Sequence, residues 1–219
     1  MKQLLLTTCT ALLLFACNNE SSTTGSDNDT LNKPAVVETP KEKEQAWIPV
    51  DSATNMQAMM AYGTPGEPHK MLAKSAGKWT GEMKMWMFEG SPAYSTTVTS
   101  VNNMILGDKF LQAKHNANFD GMPFEGIAVT GYDNASKQYV SSWIDNMSSG
   151  FMNMTGDWNE ATKSITFTGK QKSMANGLMV TYREVFKFID DNNQVMEMYG
   201  PDPKTGKEYK LMEVTYKRK

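Results

Sequence analysis

From Gly77 onward, apolar and polar residues alternate in short runs, and each run ends in residues that tolerate tight turns. The pattern predicts ten strands, at about 77 to 88, 94 to 105, 109 to 119, 122 to 132, 137 to 146, 149 to 157, 163 to 170, 178 to 189, 194 to 200 and 207 to 217. Gly90-Ser91-Pro92, Gly107-Asp108, Asp120-Gly121, Asp133 to Ser136, Asn159 to Thr162, Asn176-Gly177, Asp190 to Asn193 and Pro201 to Gly206 punctuate them. Consecutive hairpins with no helical period between them predict an all-β fold. Its form is an up-and-down antiparallel β-barrel, with a Greek-key sandwich as the other possible closure.

Alternation also assigns faces. With Trp79 inward, Gly81, Met83, Met85 and Met87 fall inside and Thr80, Glu82 and Lys84 outside. Val180, Tyr182, Glu184, Phe186 and Phe188 oppose Thr181, Arg183 and Lys187; Met196 and Met198 oppose Glu197. Met212, Val214, Tyr216 and Arg218 share a parity, and Leu111, Ala113, His115, Ala117 and Phe119 oppose Gln112, Lys114, Asn116 and Asn118. This sorting leaves two polar groups inside, His115 and Glu184.

The segment before Gly77 follows other rules. Asp51 and Ser52 offer an N-cap, Ala53, Met56, Met59 and Met60 fall near one helical face, and Gly63 suits a left-handed C-cap. A second short helix is expected from Pro68 past Met71 and Leu72 to Ala76, with Gly77 as terminator. Residues 47–76 thus form a short helical segment ahead of the barrel at 77–219.

Further upstream, Asn18 to Ala46 is filled with Ser, Thr, Asp, Asn, Glu, Lys and Pro and reads as a disordered tether. As a flexible coil it would hold the domain on the order of 30 Å from its anchor. Met1-Lys2 followed by an apolar run from Leu4 to Ala16, too short to span a bilayer, reads as a signal peptide over 1–16. The run ends Leu14-Phe15-Ala16-Cys17, which resembles the lipobox of bacterial lipoproteins and implies acylation of Cys17. An ordinary secretory peptide that leaves a free thiol is the alternative. Cys9 lies in the removed segment, so no internal disulfide is expected. The expected location is the bacterial cell envelope, lipid-anchored at the outer membrane and facing the periplasm.

Composition narrows the chemistry. A net charge of -2, with no basic cluster before the last three residues, argues against a nucleic-acid partner. Two His and no mature Cys pair leave no zinc site of standard spacing, and no phosphate loop, Gly-x-Ser-x-Gly or calcium loop occurs. No cofactor, metal or catalytic residue is assigned. Three readings of His115 and Glu184 stay open: core groups satisfied by neighbours, polar anchors of an apolar pocket, or an acid-base pair lacking any marked nucleophile. Eighteen methionines, including Met83-x-Met85-x-Met87, Met152-x-Met154 and Met196-x-Met198, suit a lumen that adapts to irregular guests, plain gap-filling, or a thioether site for Cu(I). Trp143 and Asp145 are placed at the barrel mouth, with a core Trp143 as the alternative.

Tyr62 to His69 (Tyr-Gly-Thr-Pro-Gly-Glu-Pro-His), Gly77-Lys78-Trp79, Gly121-Met122-Pro123-Phe124-Glu125-Gly126, Gly131-Tyr132-Asp133 and Trp143-Ile144-Asp145 together resemble the bacterial family called domain of unknown function 1579, over about residues 50 to 217. The resemblance implies a lipocalin-like (calycin) barrel and brings no established activity, substrate or catalytic residue. Gly77-Lys78-Trp79 also resembles the Gly-x-Trp that opens lipocalin barrels, where the Trp closes one end beneath a basic side chain of the last strand. That implies Arg218 over Trp79. The function expected is binding of a small apolar or amphipathic molecule in the barrel. A structural or interaction lipoprotein with a filled barrel is the alternative.

Overall fold

The computed structural model describes residues 46–219; the signal segment, Cys17 and the tether up to residue 45 lie outside the described residues. Two helices, α1 (Ser52–Tyr62) and α2 (Glu67–Ala73), precede ten strands. These are β1 (Gly77–Met85), β2 (Tyr94–Ile105), β3 (Phe110–Phe119), β4 (Met122–Asp133), β5 (Gln138–Asp145), β6 (Met152–Asn159), β7 (Ser164–Lys172), β8 (Met179–Asp190), β9 (Asn193–Pro201) and β10 (Glu208–Arg218). Each strand pairs antiparallel with its sequence neighbours, and β1 also pairs with β10, so the meander closes into a lipocalin-like barrel rather than a sandwich. Closure leaves no unpaired sheet edge.

Turn chemistry explains the register. Phe119 pairs with Met122, leaving Asp120 and Gly121 as a two-residue hairpin loop with φ of 52° and 93°. Two positive φ values match the twist of the flanking strands, and Asn118 Oδ1 accepts the Gly121 N–H at 2.6 Å. Longer turns wrap around one acidic or amide side chain. Asp133 accepts from the N–H groups of Ala135 and Ser136, and Asn159 from those of Ala161 and Thr162. Asp202 accepts from Lys204 and Thr205, and also from Glu89 in the β1–β2 loop.

Three local expectations are corrected. β1 stops at Met85 instead of running to residue 88: the Trp86 N–H still reaches Leu211 O, but the N–H groups of Met87 and Phe88 turn onto Ser91 Oγ. Met87 therefore leaves the alternation and is 75% exposed, not lumenal. β6 starts at Met152 rather than 149 and extends to Asn159, because the Asn146 side chain ties the preceding loop back to Pro123 and Glu125 of β4. Gly63 caps α1 in a right-handed conformation (φ −79°), since Thr64 Oγ1 already satisfies Met60 O and no left-handed residue is required. The apolar side chains of α1, Met56, Met59 and Met60, are exposed, and α1 buries nothing.

α2 plugs one end of the barrel, beneath the β2–β3, β4–β5, β6–β7 and β8–β9 turns. Leu72 is buried against Leu111, Tyr139 and Ile165, and His69 meets the Tyr132 ring edge to face. The segment after α2 is a hub for four strands. Ser75 O accepts from Trp79 Nε1 (2.9 Å) on β1 and Asn102 Nδ2 (3.0 Å) on β2, while Ser75 Oγ accepts from Gln194 Nε2 (2.9 Å) on β9. Arg218, at the end of β10, lies 4.2 Å over the Trp79 ring and donates to Ala76 O, Lys74 O and Asp191 O at 2.6 to 2.7 Å. Only glycine suits position 77, where φ is +127° and a Cβ would meet Arg218 Nη1 at 2.7 Å.

Arg218→Ala is expected to lower stability by on the order of 2 to 3 kcal/mol, since it strips partners from three carbonyls and uncovers the indole. Arg218→Lys should recover less than half of this, because a point charge cannot reproduce the planar fork. Urea denaturation of the three proteins checks both numbers.

Candidate functional site

Strand register brings a set of apolar side chains to the barrel interior. Met83, Val98, Val214 and Tyr216 pack with Trp79 on one wall; Leu111, Tyr139, Met154, Ile165 and Phe167 pack with Leu72 on another. The buried apolar residues form these two separate clusters, where a filled core would merge into one. Met85, Met196 and Met212 pack against the first cluster and Met152, Tyr182 and Met198 against the second, yet these six and Phe186 are only half-buried although they point to the axis. Space inside the barrel is the physical reason, because packed interiors leave few voids larger than one water.

The polar groups in that space are His115, Tyr216 and Glu184. Tyr216 Oη lies 3.4 Å from His115 Nδ1, and the imidazole also sits 5.5 Å from the Trp143 ring. Burial holds the His115 pKa down to about 4, so the ring is neutral near pH 7. Glu184 stands in the middle of β8, opposite Phe167 and Met198. Its carboxyl accepts no side-chain hydrogen bond and makes no ion pair with any described residue, and burial pushes its pKa up to about 7. No buried side-chain oxygen or nitrogen among the described residues is sealed in without a partner. The unpartnered Glu184 carboxyl therefore faces the open lumen rather than packed protein. Burial, and to a smaller extent the Glu184 charge, raise the Tyr216 pKa.

Toward the loop end, Trp143 stacks on Phe124 (6.2 Å, 23°), which meets Phe119 edge to face. Trp143 Nε1 donates to Asp145 Oδ2 at 2.7 Å. A Cβ at Gly126 would fall 2.3 Å from the Trp143 ring, so this glycine makes room for the indole. Three of the five connections at this end carry exposed apolar side chains, Met87, Met147 with Phe151, and Met174 with Leu178, and Met122 at the start of β4 adds another. Exposed apolar side chains also occur at the opposite end, on α1 and at Leu106. A solvent-open groove of about 300 Å³ lies over β5 and β6, lined by Val140, Ser141, Ser142, Asn153, Met154, Thr155 and Thr168.

The sequence-predicted lumen residues thus divide. Met83 and Met154 belong to the packed walls, whereas Met85, Met152, Tyr182, Glu184, Met196 and Met198 line the space, with His115 and Trp143 toward the loop end. Met87 is on the rim. Trp79 and Arg218 meet at the plugged end. His115 and Glu184 are not the sole inward polar groups: Ser100, Asn102 and Gln194 are buried there too, with Ser100 donating to Asn102. Their parity on β2 and β9 carried the signal, but polar side chains in both parities of β2 masked it. Unlike Glu184, these three have partners and serve the plug.

The family model described as protein of unknown function (DUF1579) matches residues 64–218. No curated protein matches the chain. Among solved structures, an S-type phycobiliprotein lyase from Guillardia theta is similar at 8% identity and a TM-score of 0.48, over 72% of this chain and 95% of the lyase. A protein of unknown function from the DUF3598 family of Nostoc punctiforme is similar at 8% identity and a TM-score of 0.21, over 71% of this chain and 100% of the other. Neither likeness bears on activity.

The two perturbed groups predict opposing pH effects on stability. Glu184 holds its proton more tightly when folded, so its contribution is greatest below about pH 4.5 and declines until about pH 7. His115 excludes a proton when folded, so stability falls as pH drops from about 6.5 to about 4. Glu184→Gln should therefore stabilise the protein by roughly 3 kcal/mol at pH 8 and by little near pH 4.5. Between pH 6.5 and 4.5 the variant should lose stability steeply with acid while the parent changes little, which chemical denaturation across that range reads directly.

Proposed function

We propose that this chain, which belongs to the DUF1579 family of proteins of unknown function, is a lipid-anchored envelope protein whose barrel binds a small apolar or amphipathic molecule. The observation that carries the reading is the unfilled interior: flexible thioethers and aromatic rings line it, and one unpartnered carboxyl projects into it. Ligand pockets have this composition, apolar walls with a few convergent polar groups. The apolar loop rim supports entry from that end, because the opposite end is plugged by α2, Ser75 and Arg218. Anchoring rests on the Leu14-Phe15-Ala16-Cys17 pattern, and several acyl chains on Cys17 would hold the protein stably at a membrane. In this reading the protein faces the periplasm from the outer membrane.

Native mass spectrometry of protein isolated from its own envelope tests both halves. A mature chain beginning at acylated Cys17 and carrying a noncovalent small molecule is the expected result; a retained Met1 or an unmodified Cys17 refutes the anchor. The lumen is tested separately by Ala128→Phe, which adds a ring at an inward position paired with Ala113 and Trp143. In a hollow barrel the ring costs less than about 1 kcal/mol and expels the ligand, whereas in a filled barrel overpacking costs about 1 to 3 kcal/mol and changes no bound species. The second outcome would favour a structural or interaction lipoprotein.

A further inference from the structure

The charge inside the barrel is one-sided. The lysines of the barrel strands next to the lumen acid alternate outward: Lys187 pairs with Glu197, Lys210 with Glu197 and Glu213, and Lys84 with Glu82. Arg183 is also outside, bonded to Glu208 and stacked on Tyr199. Arg218 points inward but is committed to three carbonyls and the Trp79 face at the plugged end. Sharing the inner face with Glu184 are Tyr182 of the same strand and Tyr216 of β10, the latter beside His115 of β3. The titratable groups on the described inner face thus include Glu184, Asp145 held by Trp143 toward the mouth, the phenols Tyr139, Tyr182 and Tyr216, and a neutral imidazole, and no free cation is among them.

We infer that the lumen selects amphipathic molecules whose polar end is an amine or another hydrogen-bond donor, and rejects those ending in a carboxylate. The inference rests on the reading that the lumen binds a ligand, and narrows it to one head-group chemistry. Glu184 is enclosed, has no partner among the described residues and faces the cavity, so a donor arriving there makes a hydrogen bond that replaces water and displaces no protein contact. Aromatic rings on the same face, Phe186 and Tyr182, favour a cation further. An anionic head would shed its hydration and meet no cation in exchange, with Glu184 nearby.

The test uses the full chain with Cys17→Ser, so that no acyl chain competes for the lumen, and three probes of equal tail below their micellar concentrations: dodecylamine, dodecanol and laurate. At pH 7.5, calorimetry should show the amine binding about tenfold or more tightly than laurate, with the alcohol between them. Amine affinity should fall severalfold at pH 5, where Glu184 is protonated. Glu184→Gln should bring amine and alcohol within about threefold of each other; if that variant does not fold, the amine-to-laurate ratio and its pH dependence in the parent decide. Laurate binding as tightly as the amine, or an unchanged preference in Glu184→Gln, overturns the inference while leaving a binding barrel in place. Failure of all three probes to bind overturns the inference and the binding reading together.

Discussion

The barrel depends on the seam between its first and last strands, and that seam is held at one end by a single side chain. β1 and β10 are separated by most of the chain, so their pairing carries the largest loop-closure cost in the meander. Arg218 sits opposite Trp79 in the ladder, covers its ring and reaches past it to the carbonyls that follow α2. One guanidinium thus links the last strand, the first strand, the plug and the β8–β9 turn. Its planar fork is what makes several carbonyl contacts compatible with stacking on the indole.

The seam also sets the polarity of the molecule. At its end the barrel is solid: Ser75 is shared by β1, β2 and β9, and the buried amides of Asn102 and Gln194 are satisfied there. Polar cores are tolerable when every group is paired, and here they are. Toward the loop end the same alternation gives a different interior, because α2 does not reach it and the inward residues are methionines, alanines and aromatic rings, several of them only half-buried. The rigid plug and the accommodating lumen are parts of one wall of strands. A molecule bound as proposed would meet the lumen side chains and leave undisturbed the closure on which the fold relies.

Glu184 is the cost of that arrangement. Enclosed without a partner, it destabilises the folded protein once pH exceeds the carboxyl's ordinary range, and the barrel would be more stable with an isosteric amide. A residue that lowers stability in the middle of an otherwise apolar face is what a binding site contains and a purely structural wall avoids. His115 beside Tyr216 differs: as a neutral ring it is compatible with its surroundings near pH 7.

The linear chain by itself determined the number of strands, most of their bounds, the antiparallel order and the inward parity of five strands. Each of these is local: turn residues fix where a hairpin reverses, and period-two alternation fixes which side chain faces in. The short helices were legible for the same reason, from Asp51 and Pro68. The tertiary structure alone decided where alternation stops counting. Met87 carries the same parity as Met83 and Met85, but its backbone N–H goes to Ser91 rather than to the ladder, and the side chain leaves the lumen. Parity likewise could not separate packed methionines such as Met83 and Met154 from those facing space, because the difference lies in what stands across the barrel, many residues away. Glu184 and Gln194 are inward in the same way on adjacent strands. Only the position of Ser75, carried there by α2, gives Gln194 a partner and leaves Glu184 without one.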